Sequence, residues 1–230
     1  MGTGRSGIAK GIRQNAGGKS EDTSYKKLSW DEHLAMRQSL YDDDPEDDFY
    51  VGSNFSGNIN EWLRGDGPDN IAKSVAAIDE MNSLGYQGQL IAKRLEENLK
   101  ELQRTVSLMD SYMRPLPTNI EVVRFMDNGW SNAYFNTTDI NQIANIVNSN
   151  KINLTDKGFL SVSTDAQANI FNDSLRYPVV LHLNVKSGTP AYITNNARES
   201  EIVIHRGSNT KLVRAKVIDG KLHIYGEVRR

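Results

Sequence analysis

Three short segments of this 230-residue chain carry side chains whose types and spacing suit bond-breaking chemistry. Val122-Val123-Arg124-Phe125 sets one arginine inside an otherwise apolar run. A guanidinium there can grip a phosphate through two parallel hydrogen bonds, or it can snorkel from a strand edge into water. Gly158-Phe159-Leu160-Ser161-Val162-Ser163-Thr164 places two hydroxyls two residues apart, hence on one face of a strand. Arg198-Glu199-Ser200-Glu201-Ile202-Val203-Ile204 places two carboxylates at the same spacing, where a loop enters a β-branched run. Such carboxylates can stabilise a developing cation and take up a proton, or they can be a charged strand edge. Taken singly, each pattern has an ordinary structural explanation. Their order along the chain gives them weight.

The elements that must hold these residues fall into two parts. Ser29-Trp30-Asp31-Glu32 is a capping-box pattern and opens a helix running to about Tyr41. The run from Asp42 to Asp48 follows, six acids around Pro45, without the glycine and terminal glutamate of a calcium loop, and reads as a solvated loop. Further helices are expected over Asn58–Arg64, between Pro68 and Gly85, and over Gln89–Met113. In the last, Ile91, Leu95, Leu99, Leu102, Val106, Met109 and Met113 form one apolar stripe, and Pro115 and Pro117 stop it. The periodicity then changes. Strands are expected at Ile120–Met126, Phe159–Ser163, Val179–Val185, Glu201–His205, Leu212–Ile218 and Leu222–Val228, with Asp219-Gly220 as a tight hairpin turn. One helix, with Ile140, Ile143, Ala144 and Val147 on a shared face, interrupts them. A helical half followed by a mostly antiparallel β half is an α+β pattern.

An arginine on the first core strand, then aromatic-x-Ser-x-Ser, then Glu-x-Glu before a β-branched strand, resembles the ADP-ribosyltransferase toxins, in the branch of the actin-modifying binary toxins and the clostridial exoenzymes. The resemblance covers roughly residues 50 to 228. Ile59-Asn60-Glu61-Trp62-Leu63-Arg64 is similar to the helix those enzymes place over NAD, and Ser208 after Arg206-Gly207 fits the turn behind their catalytic strand. Val162 stands where threonine is usual, and Ser56 where a tyrosine is common. The resemblance implies two packed, mostly antiparallel sheets forming an NAD cleft, with N-terminal helices. It implies a mono-ADP-ribosyltransferase that consumes NAD, releases nicotinamide and modifies a target protein. Arg124 would bind the NAD phosphates, Ser161 would orient the catalytic Glu201, and Glu201 would face the ribose. Ser163, Asn60 and Arg64 would be further NAD contacts. Phe171 would shield the nicotinamide, or else belong to the core. In this family a glutamate at the place of Glu199 accompanies transfer to arginine, whereas glutamine accompanies transfer to asparagine. Two alternatives stand beside this reading: an NAD glycohydrolase, and a catalytically silent module on the same fold.

Composition bounds the remaining possibilities. A formal net charge of −2 gives no basic track for nucleic acid. There is no cysteine, which excludes disulfides and zinc–thiolate sites, and His33, His182, His205 and His223 have no metal-ligand spacing. No apolar run is long enough to span a bilayer, and the N-terminal residues lack the apolar core of a signal peptide. A soluble protein is therefore expected, cytosolic or delivered by another route. Residues 1–27, glycine-rich and basic over the first twenty, read as a flexible tail. Residues 28–230 read as one catalytic domain, helical over 28–115 and β-rich over 116–230. No metal is expected.

Overall fold

The structure is a computed structural model that describes residues 24–42, 55–64, 67–150, 152–165 and 176–229. Most of the expected tail, acidic residues 43–48 and Phe171 lie outside the described residues. Helix α1 (Trp30–Leu40) opens on the expected capping box: Ser29 Oγ accepts from the Glu32 amide at 3.3 Å, and Glu32 accepts from the Ser29 amide at 2.9 Å. A lysine ammonium, Lys26, also reaches Glu32, and this bond first of all holds the Glu32 carboxyl down at about 2. Helices α2 (Phe55–Arg64), α3 (Gly67–Ser83) and α4 (Gly85–Tyr112) follow. The stripe on α4 is buried only in its C-terminal half. Val106 and Met109 are 8% and 0% exposed, whereas Ile91 at the other end is 49% exposed. There α4 runs beside α3, beyond the sheet.

Strands β1 (Lys26–Lys27), β2 (Arg114–Pro115), β3 (Ile120–Met126), β4 (Ile152–Thr155), β5 (Leu160–Ser163), β6 (Val179–Val185), β7 (Pro190–Ile193), β8 (Glu201–Ile204), β9 (Asn209–Ile218) and β10 (Lys221–Arg229) form the β part. Their order is β2-β7-β8-β5-β3-β6-β10-β9-β4, with β1 beside β3. Neighbours are antiparallel except β6 with β10 and β1 with β3. The two expected sheets are thus joined into one hydrogen-bonded path. The joint is narrow: β5 meets β3 only at Ser163 opposite Val123, while β3 and β6 pair from Ile120 to Met126. Beyond that bridge the halves diverge and face each other. Leu160, Val162, Ile202 and Ile204 from one half share a core with Val122, Leu181, Leu183 and Ile224 from the other. A second core lies between the first half and the helices, built from Ile59, Leu63, Val106, Met109, Phe159, Tyr192 and Val203.

Among the described residues, two helices, not one, lie among the strands. Helix α6 (Ile140–Ser149) is the expected one and buries Ile143, Ala144 and Val147. Its Asn148 side chain both accepts from and donates to the Ala215 backbone, at 2.8 and 3.0 Å, imitating a neighbouring strand along β9. The unforeseen helix is α5 (Asn128–Phe135), capped by Asp127, whose carboxylate accepts from the Trp130 amide at 2.9 Å. The Asp219-Gly220 turn has φ of +48° and +76°, the mirror-image geometry that matches strand twist. Among the described residues no helix is long and apolar enough to cross a membrane.

Candidate active site

The serine strand β5 and the glutamate strand β8 are neighbours in the register Ser163 opposite Glu201 and Ser161 opposite Val203. One face of this pair therefore presents both hydroxyls and the Glu201 carboxylate. Glu201 is 6% exposed. Ser161 donates its hydroxyl hydrogen to Glu201 Oε1, which fixes the carboxylate's orientation. Ser163 does something different. Its Oγ lies 2.5 Å from the Glu199 carbonyl and accepts from the Asp165 amide at 3.0 Å. One serine holds a carboxylate, and the other holds the backbone of the loop before it.

That loop turns sharply at Ser200, whose φ is +45°. The Ser200 carbonyl accepts from the Thr164 amide at 3.0 Å, and the Ser200 amide donates to the Asn196 carbonyl at 2.8 Å. Strand geometry starts only at Glu201, so two-residue alternation does not relate Glu199 to Glu201. The left-handed turn brings Glu199 to the same cleft by another route. This cleft has a volume of about 300 Å³ and is bordered by Arg124, Ser161, Ser163, Glu199 and Glu201. The four expected catalytic residues thus stand together. Phe125 and Tyr177 supply aromatic walls that the sequence reading did not single out. Tyr177 precedes Pro178 and β6, where an aromatic at a strand entrance was the available signal. Burial raises the carboxyl pKa of half-buried Glu199 above its ordinary value.

Arg124 also borders a second cavity of about 360 Å³, on the other side of β3. Met126, Trp130, Tyr134, Leu160 and Leu181 give it apolar walls, and Arg64 and Asp156 stand at its edge. Arg64 grips Asp156 through two hydrogen bonds of 2.8 and 2.9 Å. Burial, and then the negative charge of Asp156, push the Tyr134 hydroxyl pKa up. Asn60, one turn before Arg64, accepts the Phe159 amide at 2.8 Å, and Asp156 accepts the Gly158 amide at 2.9 Å. A Cβ at Gly158 would lie 2.6 Å from Asn60 Oδ1, so any larger residue there displaces the Asn60 side chain from its bond to Phe159. Asn60 and Arg64 thus clamp the turn that delivers β5 to the cleft. Behind β8, Arg206 pairs with Asp110 of α4 at 2.7 Å, and Ser208 closes the turn onto the His205 carbonyl at 2.5 Å.

A sequence model described as ADP-ribosyltransferase exoenzyme matches residues 48–228. The chain belongs to the ADP-ribosyltransferase exoenzyme family. None of the curated protein sequences matches it. Among solved structures it is similar to the C3 exoenzyme of Clostridium limosum, at 17% identity and a TM-score of 0.52, covering 90% of this chain and 98% of that one. It is similar to Plx2a, an ADP-ribosyltransferase toxin from Paenibacillus larvae, at 15% identity and a TM-score of 0.59, covering 87% and 96%. A third is C3stau2 from S. aureus, solved with NAD, at 15% identity and a TM-score of 0.52, covering 90% and 99%. At such identities the likeness speaks for the shared fold.

Proposed function

We propose that this family member breaks the nicotinamide–ribose bond of NAD and transfers ADP-ribose to an arginine side chain of a target protein. The observation that carries the reading is the position of Arg124 between two cavities, one of which holds the Ser161–Glu201 pair. NAD has two bulky ends joined by a pyrophosphate. With the guanidinium on the pyrophosphate, the nicotinamide riboside fits the cleft with Phe125 and Tyr177, and the adenosine fits the apolar cavity with Trp130. A relative of the same fold, C3stau2, was solved with NAD.

In this reading the bond between ribose C1′ and the pyridinium nitrogen breaks, and its electron pair goes to nicotinamide, which leaves neutral. The ribose becomes oxocarbenium-like. Glu201, buried and oriented by Ser161, places negative charge beside it without having to reorganise. A protonated guanidinium is a poor nucleophile. Glu199 pairs with it, aims one nitrogen at C1′, and takes the proton as the new C–N bond forms. A carboxylate whose pKa burial has raised is a better proton acceptor for this step.

The experiment separates the two carboxylates. Glu199→Gln is expected to abolish transfer to agmatine, a small guanidino acceptor, while nicotinamide release to water continues. If both activities fall together, Glu199 belongs to the NAD site. If neither falls, arginine specificity loses its support, and an enzyme that hydrolyses NAD in the presence of every protein acceptor is a glycohydrolase.

A further inference from the structure

Strand β7 ends at Ile193, and its next residue, Thr194, starts the loop that carries Glu199. Strand β8 covers one edge of β7, but on the other edge β2 reaches only Pro190 and Ala191. The backbone groups beyond need other partners, because a buried unpaired amide or carbonyl is costly. Helix α1 and its C-cap, Tyr41, supply them with side chains. Tyr41 Oη accepts from the Ile193 amide at 3.4 Å, Arg37 Nη1 donates to the Ile193 carbonyl, and His33 Nε2 donates to the Thr194 carbonyl at 2.8 Å. His33 and Arg37 lie one turn apart on α1 and Tyr41 is the C-cap that follows, so one face of the helix and the residue that ends it stand in for a strand. His33 and Arg37 are 0% and 3% exposed, unusual for such polar side chains on a short helix. The Arg37 guanidinium also lies 5.7 and 5.8 Å from the Tyr41 and Tyr192 ring centres.

What this ladder holds is the root of the acceptor loop. Thr194 donates to the Glu201 carbonyl through its amide at 3.2 Å and its hydroxyl at 3.1 Å, and its Oγ1 accepts from the Asn196 amide at 3.2 Å. Asn196 in turn accepts from the amides of Glu199 and Ser200. A continuous chain of hydrogen bonds thus runs from α1 through Thr194 to the backbone of both site glutamates. Helix α1 precedes residues 48–228, the stretch that the family model matches.

We propose that His33, Arg37 and Tyr41 are positioning residues that set the loop 195–200, and with it Glu199, for the acceptor. The inference rests on the reading of Glu199 as the acceptor-side carboxylate. Thr194 also bonds the Glu201 carbonyl, but Glu201 has further support from β5 and from Ser161 that Glu199 lacks, so loosening the loop root affects transfer more than bond breaking. In the 230-residue chain, Arg37→Met is expected to lower kcat/KM for agmatine by about tenfold or more through KM, the scale of one charged hydrogen bond. Nicotinamide release without acceptor should stay within about twofold of wild type, on the same scale of transition-state effects. Arg37→Lys, which keeps a donor, should recover most of the loss. Tyr41→Phe, which deletes one hydroxyl and keeps the ring, should shift the same ratio by a smaller factor, and it covers the case of an Arg37→Met that does not fold. Equal loss of both activities, or no change in folded variants, overturns the proposal. Amide hydrogen exchange at residues 194–200 makes its test independent of the acceptor. Faster exchange there in Tyr41→Phe, with β6 unchanged, supports the anchoring, and unchanged exchange refutes it. A wild type that releases nicotinamide without modifying agmatine refutes only the arginine reading.

Discussion

Replacing Glu201 by glutamine isolates charge from shape. The side chain is buried in a strand bonded on both sides, with Ser163 opposite it on β5 and Thr194 bonded to its carbonyl from the β7 side. Glutamine has the same length, and its carbonyl oxygen can still accept the Ser161 hydroxyl, so the fold and NAD affinity are expected to survive. The unit charge beside the oxocarbenium is lost. One preorganised electrostatic group in a water-poor site is worth roughly 3–4 kcal/mol, which predicts a fall of about 100- to 1,000-fold in nicotinamide release. Ser161→Ala leaves the charge and removes one charge-assisted hydrogen bond, roughly 1.5–3 kcal/mol, so its loss should be smaller, about 10- to 100-fold. Labelled NAD with chromatographic detection of nicotinamide measures both, and calorimetry measures NAD binding. Wild-type release by the glutamine variant refutes the assignment. So does a Ser161→Ala variant more damaged than Glu201→Gln, because an orienting residue cannot matter more than the group it orients.

Three other outcomes follow from the geometry. Arg124→Lys keeps the charge but loses the two-pronged grip, so calorimetry should show NAD binding weakened by about tenfold, and unchanged affinity returns Arg124 to a structural role. Gly158→Ala forces a Cβ to 2.6 Å from Asn60 Oδ1 and 3.3 Å from Arg64 Nε, and urea unfolding should report a loss of roughly 1–3 kcal/mol; wild-type stability would mean that the clamp gives way easily. His182, hydrogen-bonded to His223 at 2.9 Å, is held at about 4, below its ordinary 6.5, by burial first and by His223 next. Below pH 6.5 the unfolded chain takes a proton that the folded one refuses, so stability should fall between about 6.5 and 4 and be unaffected above. After solvent screening of a half-buried ring the fall is on the order of 1–2 kcal/mol. Unfolding at pH 7 and 4.5 should show this slope flattened in His182→Gln.

The strands β3 and β6 were legible to the residue because their β-branched runs are long and have clear ends. Helix α5 was not: Asn128–Phe135 is two turns long, contains Gly129, and spreads aromatic and polar residues without a period. Strand β7 was missed because four residues beginning with Pro190 carry little pattern, yet it supplies the root of the loop that carries Glu199. Arg124, Ser161, Glu199 and Glu201, which the structure brings to one cleft, could be picked out by type and order. The supporting bonds could not. Ser163 to Glu199, Asn60 to Phe159 and His33 to Thr194 join residues 36 to 161 positions apart. In the sequence, His33 and Arg37 look like an ordinary solvated helix face.

In the proposed mechanism, the separation of two tasks has its origin in Ser200. A non-glycine residue at φ +45° sits in a region that costs roughly 1 kcal/mol, and it persists only where neighbours hold it. Thr164 holds its carbonyl, Asn196 its amide, and Ser163 the carbonyl just before it. Had the strand begun at Glu199, both glutamates would share one rigid face, and any movement of one would carry the other. The left-handed turn instead leaves Glu201 in the sheet with Ser161 and puts Glu199 on a loop hinged at Thr194. In the proposed mechanism, bond breaking then draws on the part of the fold with the deepest burial, and acceptor choice on the part fastened only by individual hydrogen bonds. Under the proposed roles, variation in the loop can change the acceptor without disturbing the group assigned to NAD cleavage.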